Sequence, residues 1–288
     1  MNGAETQMSK HKVVSNEEWI EARKAFLAKE KEFTRQRDEL SRQRRELPWV
    51  KVEKNYLFDG PKGKVMLADL FEGRSQLIVY HFMFGPGWKE GCPSCSFLAD
   101  HFDGVVPHLN ARDVTLSVIS RAPLPEIEAF KKRMGWRFKW VSSNDSDFNF
   151  DYNVSFKKGE TARKGENASE GEASKPLVYY NYQLQDFPSD EGPGASVFYK
   201  DEATGDIFHT YSSYARGLDI LLGAYNFLDF APKGRDEDGL AFTMAWVRHH
   251  DKYGEGYLVD EKASYTAPTG PDQSAVPEAA GEGCCEHS

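Results

Sequence analysis

Two cysteines separated by two residues, Cys92-Pro93-Ser94-Cys95, are the part of this 288-residue chain best equipped for chemistry. They follow an apolar run, Leu77 to Phe84, that reads as a buried strand, and they open an amphipathic run that reads as a helix. A Cys-x-x-Cys pair at a strand-to-helix junction suits thiol–disulfide exchange. Free N–H groups and the dipole at a helix N-terminus stabilise a thiolate, which is the reactive form. With two residues between them the sulfurs can meet, so the second thiol can resolve a mixed disulfide formed on the first. Pro93 restrains the loop and removes one donor, and Ser94 offers a hydroxyl near the sulfur. Lys89 favours a thiolate and Glu90 opposes it, so their local charges cancel. Trp88 lies four residues before Cys92.

Other chemistry-bearing residues are weaker candidates. A zinc site at Cys92 and Cys95 needs two more ligands. His81, on the expected strand, and His101, on the expected helix, complete no metal spacing, so both read as packing or surface residues and no metal is expected. A second pair, Cys284 and Cys285, sits in a Gly/Glu-rich tail, where it can relay a disulfide or capture a soft metal, or be incidental. His249-His250-Asp251 reads as a surface helix end, with a reach to the cysteines as the alternative.

Composition narrows the classes. The chain is 40% hydrophobic and 28% charged, as in a soluble globular protein. A net charge of −9 leaves no basic excess to neutralise phosphates, so no nucleic-acid partner is expected. No apolar run approaches the roughly 20 residues of a membrane span, and Met1 to Ser15 lack the apolar core of a signal peptide. These features point to the cytoplasm. Four cysteines in a cytosolic chain speak for redox or metal chemistry rather than for a disulfide scaffold.

The elements that must position the pair can be read in order. Ser15 and Glu18 have the form of a capping box, and no Gly or Pro interrupts the chain from there to Leu47. A helix over about 16–47 would be roughly 48 Å long. Trp19, Phe26, Phe33, Leu40 and Leu47 recur at seven-residue intervals, a narrow seam that suits an arm lying on its own domain or clasping a second copy. Strands are expected at Val50–Phe58, Lys64–Leu67, Gln76–Phe84, Asp113–Ser120 and Phe138–Val141, with helices from Cys95 through Leu109 and from Pro123 to Gly135. That alternation implies a mostly parallel α/β sheet. Phe148 to Phe156 and Val178 to Leu184 alternate as two extended, aromatic-rich arms around a polar loop, 157–175. Ala195–Lys200 and Asp206–Tyr211 form a hairpin pattern, and Leu218 to Leu228 a final core helix. One more ordered candidate spans Leu240 to His249, and there is no internal repeat.

The order strand, Cys-x-x-Cys helix, strand, helix, strand, hairpin, helix resembles the thioredoxin fold. More closely, the chain resembles the domain-of-unknown-function 899 family of thioredoxin-like proteins. The resemblance rests on Val79–Pro86, Gly91–Ser96, Ser196–Asp201, Tyr211–Gly217 and Trp246–Asp251, and covers roughly residues 14–257. It implies a three-layer α/β sandwich with a central mixed sheet, a long N-terminal helix and an aromatic-rich insertion. The corresponding division is 1–14 as a disordered N-terminus, 15–48 as a helical arm, 49–258 as the thioredoxin-like domain with its insertion at 143–192, and 259–288 as a disordered tail. The resemblance also implies roles: Cys92 as attacking thiolate and Cys95 as resolving thiol. Thioredoxins place Trp directly before the pair, where this chain has Gly91. They place a cis-proline just before the hairpin strand, where this chain has Gly194 and Ala195, with Pro193 slightly earlier. Lys89 occupies the place of the Thr or Ser that precedes a peroxidatic cysteine, which makes a peroxiredoxin-like peroxidase the weaker version.

The reading that follows is a thiol–disulfide oxidoreductase acting on a protein or small-molecule disulfide. It would use an external reductant and no bound cofactor, with a homodimer through the N-terminal helix as an option. The competing reading is a non-catalytic binding or assembly module on the same fold.

Overall fold

A computed structural model describes residues 11–157 and 177–253. The tail cysteines Cys284 and Cys285, the expected tail from 259, most of the 157–175 loop and residues 1–10 lie outside the described residues. The chain divides into two units, Met1–Trp49 and Val50–Ser288. Among its described residues the first holds one helix, α1 (Asn16–Arg44). Its capping box is complete: the Ser15 hydroxyl accepts from the Glu18 N–H at 3.2 Å and the Glu18 carboxylate accepts from the Ser15 N–H at 3.0 Å. Glu21–Lys24, Glu32–Arg35 and Glu39–Arg42 pair one turn apart, with the acid nearer the N-terminus, the orientation that the helix dipole favours. The helix ends at Arg44, three residues before the expected Leu47, because Pro48 cannot follow within a helix.

The second unit is built on an eight-stranded mixed sheet in the order β1-β10-β9-β4-β5-β6-β2-β3. The strands are β1 (Val50–Lys51), β2 (Leu57–Gly60), β3 (Gly63–Met66), β4 (Gln76–His81), β5 (Val114–Ser120), β6 (Lys139–Ser142), β9 (Gly194–Lys200) and β10 (Ile207–Tyr214). A separate hairpin holds β7 (Val178–Tyr180) and β8 (Gln183–Gln185). The helices are α2 (Pro93–Ala99), α3 (Phe102–Asn110), α4 (Leu124–Arg133), α5 (Phe148–Asp151) and α6 (Gly223–Leu228). β4 lies at the centre, parallel to β5 and antiparallel to β9, and β9 pairs with β10. With helices in the β4–β5 crossover, the unit β10-β9-β4-β5 is the thioredoxin arrangement. The sequence order changes direction on either side of β4, so the end of β4 is the place where a crevice opens.

Alternation along β4 divides the core. Ile78, Tyr80, Phe82 and Phe84 face a layer made from α2, α3, α4 and the Leu218–Tyr225 stretch, while Leu77 and Val79 face Phe58, Phe71, Phe148 and Phe198. The sheet is thereby covered on both faces, which is why β4 and β5 read as nearly continuous apolar runs. Among the described residues no helix is long and apolar enough to cross a membrane.

Several elements differ from the pattern in the sequence. The expected strand Val50–Phe58 is two strands in opposite halves of the sheet, β1 beside β10 and β2 between β6 and β3. The arm expected at Phe148–Phe156 begins as α5: the Phe148 and Tyr152 rings pack at a tilt with centroids 4.7 Å apart, and Asp151 accepts from Lys54 and the Tyr56 hydroxyl. Residues four apart share a helix face as readily as alternate residues share a strand face, so the aromatic spacing fits both periods. Val178–Leu184 folds back as a hairpin, with Asn181 and Tyr182 at positive φ (51° and 64°). The helix after the cysteines breaks at Asp100-His101. There Asp100 accepts from the Trp136 indole at 2.8 Å and pairs with His250 at 2.7 Å. The His101 ring meanwhile accepts the Ala224 N–H at 3.0 Å, at the start of α6. The final helix is divided at Leu222 into a 3-10 turn, Ala215–Leu221, and α6. Leu240–His249 forms neither helix nor strand.

His81, expected as packing or surface, is 1% exposed on the face away from the cysteines. It stacks on Phe148 and Tyr152 and bonds Ser196 at 2.9 Å, which bonds Ser212 at 2.8 Å, which bonds His209 at 2.7 Å. Burial pushes the His81 pKa down to about 3, with His209 adding repulsion. A histidine depressed on folding contributes stability that is complete above its unfolded pKa of about 6.5 and is lost as pH falls toward the folded value. Stability against urea should therefore fall as pH drops from 6.5 to 3, by up to about 1.4 kcal/mol per pH unit from this group. His81→Gln should flatten that part of the profile; an unchanged slope would remove His81 as its source.

Candidate active site

The main chain leaves β4 still extended, with the Phe82 N–H bonded to Ile119 and the Phe84 carbonyl to Ala122. It then turns through Gly85 to Gly87 and comes back so that the Cys92 N–H donates to the Met83 carbonyl at 3.0 Å. On that return Gly91 passes between two rings: a Cβ on it would lie 2.5 Å from Phe82 and 2.8 Å from Phe130. The buried histidine His249 donates from Nε2 to the Gly91 carbonyl at 2.8 Å. Its other ring nitrogen faces the Arg133 guanidinium, and burial keeps its pKa below the usual histidine value, both in keeping with a neutral ring. Arg133 joins Glu90 (2.7 Å) to Asp251 (2.7 Å), and Lys252 also reaches Glu90 at 2.7 Å. The loop before the cysteines is therefore held from behind by the 249–252 turn.

Cys92 is the N-cap of α2, and Pro93 follows at the first helical position, where a missing N–H costs nothing. The Cys92 carbonyl accepts from the Ser96 N–H at 2.9 Å and the Ser96 hydroxyl at 3.0 Å. Both thiols are free; Cys92 is half-buried and Cys95 is buried. The Cys95 S–H donates to the Cys92 sulfur, and with the N–H groups of Cys95 and Ser94 and the Ser94 hydroxyl it outweighs burial, holding the Cys92 pKa down to about 7. These donors act at contact distance, whereas α2, at seven residues, is too short for its dipole to dominate. Burial and the neighbouring Cys92 push Cys95 well above the usual thiol value. The Tyr80 hydroxyl, buried on β4, and the Met83 N–H donate to the Cys95 sulfur and oppose that shift.

Cys92, Ser94 and Cys95 line one end of a cavity of about 570 Å³. Tyr80, Met83, Leu98, Leu218, Leu222 and Met244 give it apolar surface, and other residues of 233–244 supply further parts of its wall. Among the described residues no group of three or more His, Cys, Asp and Glu is placed to hold a metal.

Some expected neighbours stand elsewhere. Trp88 packs on Gly85, where a Cβ would meet its indole at 2.9 Å, and it does not line the cavity. β9 starts at Gly194, so Pro193, not Gly194 or Ala195, stands immediately before the hairpin strand and lines the cavity. Its peptide bond is trans, since the described residues contain no cis peptide. The Tyr214 ring occupies the space where a Gly194 Cβ would be, 2.8 Å away, and Ala195 is buried in the core beside β4. Glu90 does not act against Cys92 as expected, because Arg133 and Lys252 take up its charge. His249 and His250 are not a surface helix end: both are buried, behind the cysteine loop and against Asp100. Tyr80 and the 233–244 wall were not singled out from sequence. Tyr80 lay inside a run that reads only as core strand.

The family described as "Bacterial protein of unknown function (DUF899)" matches residues 8–253, and the chain belongs to it. No curated protein compared with the chain matches it. Among solved structures, a mutant of peroxiredoxin Q from Xanthomonas campestris is similar at 12% identity and a TM-score of 0.40, over 63% of this chain and 98% of that one. The peroxidoxin BcpB from Mycobacterium tuberculosis is similar at 10% identity and a TM-score of 0.40, over 61% of this chain and 94% of that one. A yeast mitochondrial 1-Cys peroxiredoxin is similar at 15% identity and a TM-score of 0.35, over 61% of this chain and 74% of that one.

Two outcomes follow from this geometry. Iodoacetamide should alkylate Cys92 with a midpoint near pH 7, about that held by its neighbours. Cys95→Ala, which removes the largest of those donors, should move the midpoint toward the ordinary thiol value of about 8.5; no movement would show that Cys95 does not set it. Gly91→Ala should cost about 1–3 kcal/mol, seen as a lower Tm, because the added methyl has no space between the rings. An unchanged Tm would show that the rings yield.

Proposed function

We propose that this family member is a thiol–disulfide oxidoreductase in which Cys92 attacks and Cys95 resolves. One observation carries the reading: a half-buried thiol with its pKa held down to about 7 bonds a buried second thiol on the wall of a cavity. The Cys92 thiolate attacks one sulfur of a substrate disulfide RS–SR. The S–S bond breaks, one RS⁻ leaves, and Cys92–S–SR remains. Cys95 then gives up its proton and attacks the Cys92 sulfur, with Tyr80 and the Met83 N–H stabilising the charge as it forms. The second RS⁻ leaves, and the two departing thiolates take up the Cys95 proton and one from water. Two electrons pass from the dithiol to the substrate, and an external dithiol restores the pair. Because Cys95 holds its proton more firmly, the order of attack runs from Cys92 to Cys95.

A binding or assembly module is the second reading. Trp19, Phe26, Phe33 and Leu40 favour it, since each leaves more than half of its side exposed along α1 (55–66%). Glutathione redox buffers separate the two. Reversible formation of a Cys92–Cys95 disulfide, mapped by mass spectrometry, and loss of disulfide reduction in Cys92→Ser are expected. Cys95→Ser should accumulate the mixed disulfide on Cys92. Turnover retained in Cys92→Ser would take that residue out of the mechanism, and absence of the internal disulfide would leave the binding reading.

A further inference from the structure

The cavity beside Cys92 carries information about what can reach the sulfur, and the inference below rests on the oxidoreductase reading. We propose that the site takes low-molecular-weight disulfides bearing an apolar substituent, and that the 233–244 wall keeps folded-protein disulfides away from Cys92.

Size is the first ground. A cavity of about 570 Å³ lies in the range of small-molecule sites, roughly 300–1,000 Å³. Its lining is the second. Its apolar lining comes from Tyr80, Met83, Leu98, Leu218, Leu222 and Met244, none of which offers a charge to a polar peptide.

The rim gives the third. Arg235 is paired with Asp219 (3.1 Å) and Asp229 (2.8 Å) and lies 3.9 Å over the Tyr225 ring. Arg216 is also paired with Asp219, at 3.0 Å. Both guanidiniums are thus engaged within the protein. Asp236 and Asp238 line the same cavity, with Lys233 as a further cation among the described residues. A rim of that balance does not favour glutathione disulfide, which carries more carboxylates than amines.

The wall itself is anchored, which is the fourth ground. One oxygen of Glu237, Oε1, accepts from the Tyr225 hydroxyl (2.6 Å), the Trp246 indole (2.6 Å) and the Met244 N–H (2.9 Å). Trp246 in turn packs edge-on against Phe97 of α2, at 5.5 Å, so the anchor reaches the cysteine helix. On the other side, the Tyr180 hydroxyl donates to the Pro193 carbonyl at 2.6 Å and accepts the Ala215 N–H at 3.1 Å. Lining residues of the cavity are therefore held by two buried hydroxyl-bearing rings, Tyr180 and Tyr225. On this proposal the anchored 233–244 wall holds off a disulfide carried on a folded surface. A small apolar disulfide need only enter.

Single-turnover oxidation of the reduced full-length protein tests this. The probes are dibenzyl disulfide in dilute cosolvent, glutathione disulfide and insulin, each rate divided by that of the same probe with 2-mercaptoethanol. The apolar disulfide should exceed glutathione disulfide by at least tenfold, with insulin slowest. Glu237→Ala, which releases three donors, should raise the insulin rate about tenfold and slow the apolar disulfide, and Glu237→Gln, which keeps an accepting oxygen, should restore most of both. Should Glu237→Ala fail to fold, Leu222→Trp, which fills the cavity, should slow the apolar probe severalfold with the Cys92 alkylation midpoint still near 7. Insulin oxidising the wild type as fast as the small probes, or neither variant changing the ratios, would overturn the substrate class and leave the thiol chemistry standing. Failure of every disulfide to oxidise Cys92 would overturn the oxidoreductase reading beneath it.

Discussion

At Gly91 the chain passes so close to Phe82 and Phe130 that no side chain fits, and that passage decides where Cys92 lands. The bond from the Cys92 N–H to the Met83 carbonyl fixes the loop from the front, and the bond from His249 to the Gly91 carbonyl fixes it from behind. Between those two anchors the first cysteine caps α2, half-buried, while the second sits one turn in, against Tyr80. Everything proposed for the sulfurs depends on this geometry. A thiol gains acidity from donors at contact distance, and only a loop held on both sides keeps such donors in place.

The two faces of the sheet divide the work. The face carrying Tyr80, Phe82 and Phe84 supports the cysteine helix and the cavity, and from it the Tyr80 hydroxyl reaches the Cys95 sulfur. The opposite face carries a buried chain of polar contacts, His81–Ser196–Ser212–His209, beneath Phe148 and Tyr152. Because neighbours along a strand point to opposite faces, Tyr80 and His81 serve different surroundings although they are adjacent in sequence. Charge is handled outside both cores. Arg133 gathers Glu90 and Asp251 behind the cysteine loop, and Arg235 gathers Asp219 and Asp229 at the cavity rim.

Where the sequence misled, two structures shared one pattern. Phe148, Phe150 and Tyr152 suit a strand by alternation and a helix by the four-residue spacing, and the bonds of Asp151 to Lys54 and Tyr56 accompany the helical choice. Asn181-Tyr182 was a turn hidden within an apolar alternation, because Tyr at positive φ leaves no compositional mark. Val50 to Phe58 reads as one strand, yet its two ends join opposite halves of the sheet, which no local pattern records. The His249-His250-Asp251 motif is visible in the sequence, but nothing there chooses between a surface helix end and a reach toward the cysteines, because the Gly91 carbonyl lies 158 positions away.

The amino-acid sequence by itself determined the elements whose causes are local. These are the capped helix α1, the apolar central strand, the hairpin of β9 and β10, and a cysteine pair set between β4 and α2. Such features follow from periodicity, caps and turn residues that act within a few positions. Tertiary structure alone decided what surrounds the sulfurs: Tyr80 beside Cys95, His249 behind Gly91, Pro193 at the opening, and a wall from 233–244 pinned through Glu237. Each of these joins residues far apart in the chain, and such contacts form only when burial of the two apolar faces brings distant segments together.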